Sequence, residues 1–216
     1  MLLGRKLGMT QVFEDSGAAI PVTVIEAGPC VVLAKKPAAQ NGGHDAVQLG
    51  FEPMKDKNAP KPQRGHAAKA GAAQAYRFAR DMRVDALDAY ELGQELTVAM
   101  FEKGQAVDVI ATSKGKGFQG VIRRHGHHGG PASHGSMFHR APGGIGASAS
   151  PSRVLKRRAM PGHMGHQRKT IQNLKVVAVY PEQNLVLIRG AVPGPSQAMV
   201  VIRPTVKVKR PKQRAQ

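Results

Sequence analysis

Acidic residues are almost absent from the second half of this chain. Residues 109–216 contain a single one, Glu182, beside 19 lysines and arginines, whereas residues 1–108 contain 13 residues of each sign. The formal net charge of +18 therefore belongs entirely to the second half. Because unpaired positive charge on this scale is tolerated where a polyanion neutralises it, the sequence predicts a nucleic-acid partner.

Cysteine and aromatic residues are scarce as well. The single cysteine, Cys30, excludes an intramolecular disulfide and a Cys-x-x-Cys zinc site, and its apolar neighbours predict a buried, unreactive side chain. Tryptophan is absent and aromatic residues make up 4% of the chain, so the core must consist mostly of Val, Ile, Leu, Met and Ala. A length of 216 residues suits one domain with an appendage, or two small domains.

Long hydrophobic runs are also missing. None approaches the roughly 18 residues that a membrane span needs. The first residues, MLLGRKLGMTQVF, lack the apolar core and the cleavage site of a signal peptide. A polybasic membrane-surface role would need a basic amphipathic helix, and the pattern shows none. We therefore expect no membrane partner and a reducing, cytoplasmic location.

Short apolar runs separated by turn residues predict strands in both halves. Single runs cover residues 8–13, 20–27, 30–34, 46–51 and 198–202. Two further pairs of runs flank turn residues and predict hairpins, one from 95–101 with 106–111 and one from 174–180 with 185–188. Because no helical pattern separates neighbouring runs, the spacing favours a mainly β fold, an antiparallel sheet or a small barrel.

The predicted strands belong to a discontinuous globular part. It comprises residues 1–111 and 173–206, with an irregular surface excursion at 53–94, and a basic tail follows at 207–216. Between its two pieces lies a basic insertion, residues 112–172, which is rich in glycine and has no regular apolar period. A structureless loop of this length inside a domain requires a function or a partner.

Glycine and proline cluster at three places in the basic insertion, at residues 129–131, 142–146 and 161–165. Proline restricts φ and glycine permits positive φ, so these clusters specify bends that a disordered tail would not need. We expect one defined conformation that is ordered on binding, with low-complexity disorder as the alternative. Residues 117–125 have the pattern of a short helix.

A Gly-x-Gly-x-x-Gly motif at residues 115–120 follows a predicted strand. A dinucleotide site also needs an acidic residue about 20 positions further on, and the first one is Glu182, so we reject that interpretation. The motif is then a flexible turn whose backbone N–H groups, with Lys114 and Lys116, suit close approach to a phosphate backbone. A solvated basic turn is the alternative.

Seven of the nine histidines fall in the basic insertion, and a metal site is the first hypothesis they raise. The insertion offers no cysteine or carboxylate ligand and its cations repel a metal ion, so we expect no metal and no cofactor. Ser133, His134 and Ser136 likewise lack the carboxylate of a catalytic triad. We therefore expect no enzymatic activity and no small-molecule substrate. An adaptor for acidic proteins, the remaining alternative, would not need fixed bends.

A cationic cluster occupies residues 153–158. Its members are Arg153, Lys156, Arg157 and Arg158. No acid lies nearby, and arginine suits bidentate contacts with phosphate. The insertion has only two aromatic residues for base stacking, so the pattern favours recognition of a folded RNA by its shape and backbone.

Six motifs follow one another along the chain. They are GRKLGMTQVF at 4–13, TSKGKGFQGVIRRHG at 112–126, GGPASHGSMFHR at 129–140, PGGIGA at 142–147, MPGHMG at 160–165 and QNLKVVAVYPEQNLVLIRGAVPG at 172–194. In this order they resemble the bacterial type of the large-subunit ribosomal protein L three family. The resemblance covers the chain from residue 4 to about residue 205.

The resemblance implies a fold and a function. The fold would be a six-stranded β-barrel of the kind shared with translation factors, with a long extension that penetrates large-subunit ribosomal RNA. The extension would reach toward the peptidyl transferase region without supplying catalytic groups, and the barrel would lie beside neighbouring large-subunit ribosomal proteins. The family acts early in large-subunit assembly, in the bacterial cytoplasm.

The resemblance and the cationic clusters together give fourteen candidate RNA contacts. They are Lys114, Lys116, Arg123, Arg124, His125, His134, Arg140, Arg153, Lys156, Arg157, Arg158, His163, Arg168 and Lys169. Two features depart from the family pattern. His163 stands where some members carry a methylated glutamine, and residues 124–130 are richer in histidine, which leaves the roles of His127 and His128 open.

Overall fold

The structure is a computed structural model that describes residues 1–207. Within them the strands are β1 (Leu2–Phe13), β2 (Ala19–Ala27), β3 (Cys30–Lys36), β4 (Ala46–Pro53), β5 (Tyr76–Arg83), β6 (Glu95–Leu96), β7 (Ala106–Thr112), β8 (Phe118–Gln119), β9 (Gly162–His163), β10 (Arg168–Tyr180), β11 (Leu185–Arg189) and β12 (Met199–Pro204). The α-helices are α1 (Lys61–Lys69) and α2 (Val121–His125), and 3-10 turns occupy Ala38–Gln40, Asp56–Asn58, Val98–Met100 and Pro181–Gln183. The prediction of a mainly β fold is confirmed.

The chain divides into two compact units. Among the described residues, the first unit comprises 1–112 and 168–207, and the second unit is the segment between them, residues 113–167. The second unit is shorter than the predicted insertion because residues 168–171 pair with residues 109–112. Of the predicted basic tail, residues 208–216 lie outside the described residues.

Six strands of the first unit pair antiparallel in a closed order. β1 pairs with β12 and β2, β7 with β12 and β10, and β11 with β10 and β2. Successive side chains of a strand point to opposite faces, and one face of this ring supplies fully buried residues such as Leu2, Ile25 and Ile188. Each such side chain stabilises the fold by about 2 kcal/mol relative to an exposed one.

Irregularities of register bend the strands of the ring. One lies between Lys6 and Gly8 where β1 pairs with β2, and others occur along β10. Bulges of this kind increase the local twist, which a closed ring of six strands needs. Gly4 allows β1 to approach β2 closely, because a Cβ atom at this position would lie 2.6 Å from the carbonyl oxygen of Glu26.

A four-stranded sheet, in the order β5-β4-β3-β6, completes the first unit. The prediction that residues 53–94 are irregular is wrong, because α1 and β5 lie within that range. The strand β5 was hard to predict because one residue of it, Met82, is fully buried while its neighbours are polar. Helix α1 likewise buries little beyond Ala67.

One predicted hairpin is wrong and the other is confirmed. β6 pairs with β3 in the four-stranded sheet, whereas β7 pairs with β10 and β12 in the ring, so residues 95–101 and 106–111 do not form a hairpin. The hairpin of β10 and β11 is present, with Tyr180 opposite Leu185. No helix within residues 1–207 is long and apolar enough to cross a membrane.

Asp108 is a fully buried carboxylate near the start of β7. Its oxygens accept hydrogen bonds from the backbone N–H groups of Asn173 at 3.0 Å and Val206 at 3.3 Å, and from the Arg203 guanidinium at 3.2 Å. Burial by itself raises the pKa of Asp108, but these bonds, with one from the Thr205 side chain, outweigh it and lower the pKa. The carboxylate thus joins β7, β10 and the end of β12.

Candidate nucleic-acid interface

The second unit begins and ends as an antiparallel ribbon. The Ser113 N–H donates to the Gln167 carbonyl oxygen at 2.9 Å, and the Lys116 N–H donates to that of Met164 at 2.9 Å. The strands β8 and β9 continue this pairing, with Phe118 opposite His163. The ribbon holds the exposed side chains of Lys114 and Lys116 on a fixed backbone.

Gly165 is required where the two strands of the ribbon pass each other. Its φ is +77°, and a side chain there would collide with the carbonyl oxygen of Lys114. Only glycine satisfies both conditions at low cost. Gly115, on the facing strand, is different, because the nearest atom to an added Cβ would be 3.7 Å away.

Helix α2 follows the ribbon and carries three basic residues in its last turn. Gly126, with a φ of +75°, ends the helix and donates its N–H to the Ile122 carbonyl oxygen. The Arg124 guanidinium donates to the Met160 carbonyl oxygen at 2.6 Å, and a His125 ring nitrogen lies 3.1 Å from the same oxygen. Arg124 therefore anchors the helix to the returning chain, and its neighbour Arg123 is exposed.

The loop after α2 folds back on itself without regular secondary structure. The Gly130 N–H donates to the His139 carbonyl oxygen at 2.9 Å, and the Ala141 N–H donates to that of Phe138 at 2.8 Å. The Phe138 ring packs against the bare backbone of Gly130, where an added Cβ would lie 2.5 Å from the ring. These contacts give the glycine-rich segment one specific path.

Further bends follow along the cationic cluster. The Arg158 guanidinium donates to the Gly144 carbonyl oxygen, which joins the cluster to the second glycine-rich stretch. His134 and Arg157 have positive φ angles of 55° and 67°, a conformation that costs a non-glycine residue about 1 kcal/mol or more. The defined bends favour the ordered-loop interpretation over low-complexity disorder.

The electrostatics of the second unit are one-sided. It contains nine lysines and arginines, seven histidines and no carboxylate, so none of its cations can form an ion pair within the unit. Eight of the nine lysine and arginine side chains are exposed, and Arg124 is partly buried. Such a surface attracts a polyanion and gains affinity by releasing the polyanion's counterions.

Comparison with known proteins gives one consistent result. A family model described as Ribosomal protein L3 matches residues 78–183. The chain is 54% identical over 207 residues to large ribosomal subunit protein uL3 of Syntrophus aciditrophicus (strain SB), which covers 96% of this chain and 94% of that relative. It is 56% identical over 208 residues to uL3 of Geobacillus sp. (strain WCH70), with 96% and 97% covered.

The chain belongs to the ribosomal protein L3 family. The family resemblance seen in the sequence motifs is therefore confirmed, and with it the expectation of a non-enzymatic ribosomal protein. The alignments with these relatives cover 96% of the chain, so both units contribute to the match.

The structure divides the fourteen candidate RNA contacts between the two units. Twelve lie on the second unit, and two, Arg168 and Lys169, lie at the start of β10 in the first unit. All are exposed except Arg124, which is partly buried. Exposure makes them available to an RNA partner, and their contact with RNA stays a prediction.

The histidines of the second unit do not form a metal site. Among residues 1–207, no group of three or more His, Cys, Asp or Glu side chains could hold a metal ion. The rings of His125 and His127 lie 6.0 Å apart, centroid to centroid, and are tilted relative to each other. The histidines are available as hydrogen-bonding or stacking groups toward RNA.

Exposed apolar side chains of the second unit were missed by the sequence reasoning. Met137 is 94% exposed and Phe118 is 76% exposed, and Leu155 is also exposed within the cationic cluster. These apolar side chains are available for contact with a partner. Their exposure could have been predicted from their position in a stretch without apolar periodicity, because such a stretch forms no core in which they could be buried.

Proposed function

We propose that this chain is a structural constituent of the large ribosomal subunit and binds its ribosomal RNA through the second unit. The observation that carries the proposal is a folded, largely non-regular segment on which eight exposed lysines and arginines meet no carboxylate. Membership of the L3 family supports the same function.

The mechanism is neutralisation of phosphates where RNA helices converge. Arginine forks bind phosphate oxygens in pairs, and the glycine-rich backbone lets the chain approach the RNA closely. The bends held by Gly130, Gly165 and Arg158 reduce the conformational entropy that binding must remove. The exposed Phe118 and Met137 side chains would fill apolar gaps against bases or sugars.

The finer features of the family belong to the same proposal. The closed pairing order of the six-stranded ring supports a barrel of the translation-factor type. We propose that this barrel lies beside neighbouring large-subunit proteins, and that the second unit reaches toward the peptidyl transferase region of the bacterial cytoplasmic ribosome. We also propose a role early in subunit assembly. The second unit has no carboxylate that could act as a catalytic base, so its contribution would be structural, through its contacts with RNA.

A salt titration tests RNA binding by the second unit. If about six cations contact phosphate, log K for a large-subunit RNA fragment falls against log salt concentration with a slope of about −4 to −5. A triple variant, Arg140→Gln, Arg153→Gln and Lys156→Gln, is expected to reduce that slope by about 2 to 3.

The matched control neutralises three exposed lysines of the first unit, Lys55, Lys57 and Lys61, in the same way. We expect it to leave the slope nearly unchanged. A binding constant that is independent of salt, or an equal effect of both triple variants, contradicts the proposal. Separately, the chain must sediment with the large subunit in high salt, with residues 113–167 crosslinked to its RNA.

A further inference from the structure

The outer face of the ring carries a small apolar cluster of its own. Ile20 and Val22 of β2 and Leu187 of β11 are buried together, apart from the main core. Because the side chains of a strand alternate, these residues lie on the face opposite Ile25 and Ile188. Val12 of β1 and Val177 and Ala178 of β10 pack against this cluster, so it reaches the end of the β1–β2 hairpin.

A groove of about 480 Å³ opens beside this cluster. Phe13, at the end of β1, and Tyr180, at the end of β10, both line it, and they are 64% and 49% exposed. The chain has only nine aromatic residues, six Phe and three Tyr, and two of them flank this one groove in contact with water. Exposed aromatic side chains beside a concave surface of mixed polarity are typical of anchor points for a protein partner.

The charges around the groove are mainly acidic, in contrast to those of the second unit. Glu14 and Asp15 line it together with Lys103, and Glu182 follows Tyr180 by two residues. Within residues 1–207, none of these three carboxylates takes part in an ion pair. Carboxylates repel RNA phosphate and attract lysine and arginine, so the groove has the opposite preference to the second unit.

We infer that this groove docks a basic polypeptide segment that carries an apolar or aromatic side chain between its cations. The segment belongs to a neighbouring protein of the same particle, and in this respect the inference rests on the proposed function. The apolar side chain would lie between Phe13 and Tyr180, and the cations of the segment would meet Glu14, Asp15 and Glu182.

Photo-crosslinking in purified large subunits tests the inference. Phe13 is replaced by benzoylphenylalanine, and Leu92, which is an exposed apolar residue of the first unit, is replaced in the same way as the control. After irradiation, mass spectrometry identifies the crosslinked peptide. We expect position 13 to crosslink to a lysine- and arginine-rich segment of another protein, and position 92 not to reach that segment.

Charge reversal sharpens the test. The double variant Glu14→Lys, Asp15→Lys is expected to lower the yield of that crosslink about tenfold, because like charges then face each other. The control variant Asp85→Lys, Asp88→Lys makes the same change of charge elsewhere on the first unit and leaves the yield unchanged. Protection of the Cys30 thiol from labelling confirms that both variants are folded.

Several outcomes overturn the inference while leaving the proposed function intact. They are a crosslink from position 13 to ribosomal RNA, to a second copy of this chain or to a segment without basic residues, or no crosslink at all, in subunits that contain the chain. If the chain is instead absent from purified large subunits, the proposed function itself fails.

Discussion

Asp108 is the last acidic residue before a stretch of 73 residues without one, and it serves the fold. Replacing it by asparagine removes the charge that faces Arg203 and leaves an amide among three donors. We expect Asp108→Asn to lower the free energy of unfolding by about 2 to 3 kcal/mol, as measured by urea denaturation of the free protein. Asp56→Asn, at an exposed site, is the control and should change it little.

The same carboxylate also predicts a dependence on pH. Its pKa in the folded protein is lowered below the unfolded value of about 3.9, so its contribution is complete above about pH 4 and is lost as the pH falls through the folded pKa. The unfolding free energy of the natural sequence should therefore fall more steeply below pH 4 than that of Asp108→Asn. Parallel curves for the two proteins would contradict the assignment.

Cys30 is buried, as its apolar neighbours predicted. Burial raises the pKa of its thiol to about 12, and the sulfur lies 3.4 Å from the Leu3 carbonyl oxygen. A thiol reagent at pH 8 should therefore leave the folded protein unlabelled and label it fully in urea. Ser16→Cys, in the exposed turn after β1, supplies the positive control. Labelling of native Cys30 at the rate of that control would show that the thiol is accessible.

At the scale of elements, the ribbon at the base of the second unit is the most sensitive to a single methyl group. Gly165→Ala forces a positive φ on alanine and a collision with the Lys114 carbonyl oxygen. We expect the amides of Lys116 and Met164 to exchange hydrogen at least about fivefold faster, since an alanine in that conformation costs about 1 kcal/mol or more. Gly115→Ala has room for its methyl group and should exchange as the natural protein does. Equal protection in both variants would refute the role of Gly165.

The individual strands and helices show how much of the fold could be predicted from the sequence. The strands β2 and β4 and the hairpin of β10 and β11 follow the apolar runs closely, because the apolar side chains of these runs supply much of the buried surface. The hairpin expected from β6 and β7 was wrong, because neighbouring runs in sequence can pair with distant strands, and β7 lies between β10 and β12. Helix α1 has too few apolar residues to be recognised.

For the whole molecule, charge was the property that the sequence predicted best. A segment without carboxylates has cations at its surface whatever path it takes, and thirteen of the fourteen candidate contacts are indeed exposed. The partial burial of Arg124 could not be predicted from the sequence. It depends on a hydrogen bond to the carbonyl oxygen of Met160, which lies 36 residues further along the chain. The acidic groove beside Phe13 could not be predicted from the sequence either, because it is lined by the ends of β1 and β10, which are distant in sequence.

The position of the second unit between β7 and β10 has a consequence for biosynthesis. β1 needs β12 as its partner, and β12 ends at Pro204, so the ring cannot close until translation has passed Pro204. At roughly 5 to 20 residues per second, the 37 residues that follow the second unit, 168–204, take about 2 to 7 s. During that interval the nascent chain contains the complete basic second unit while the ring has not yet closed. The basic segment can therefore bind any nucleic acid nearby before the first unit is folded.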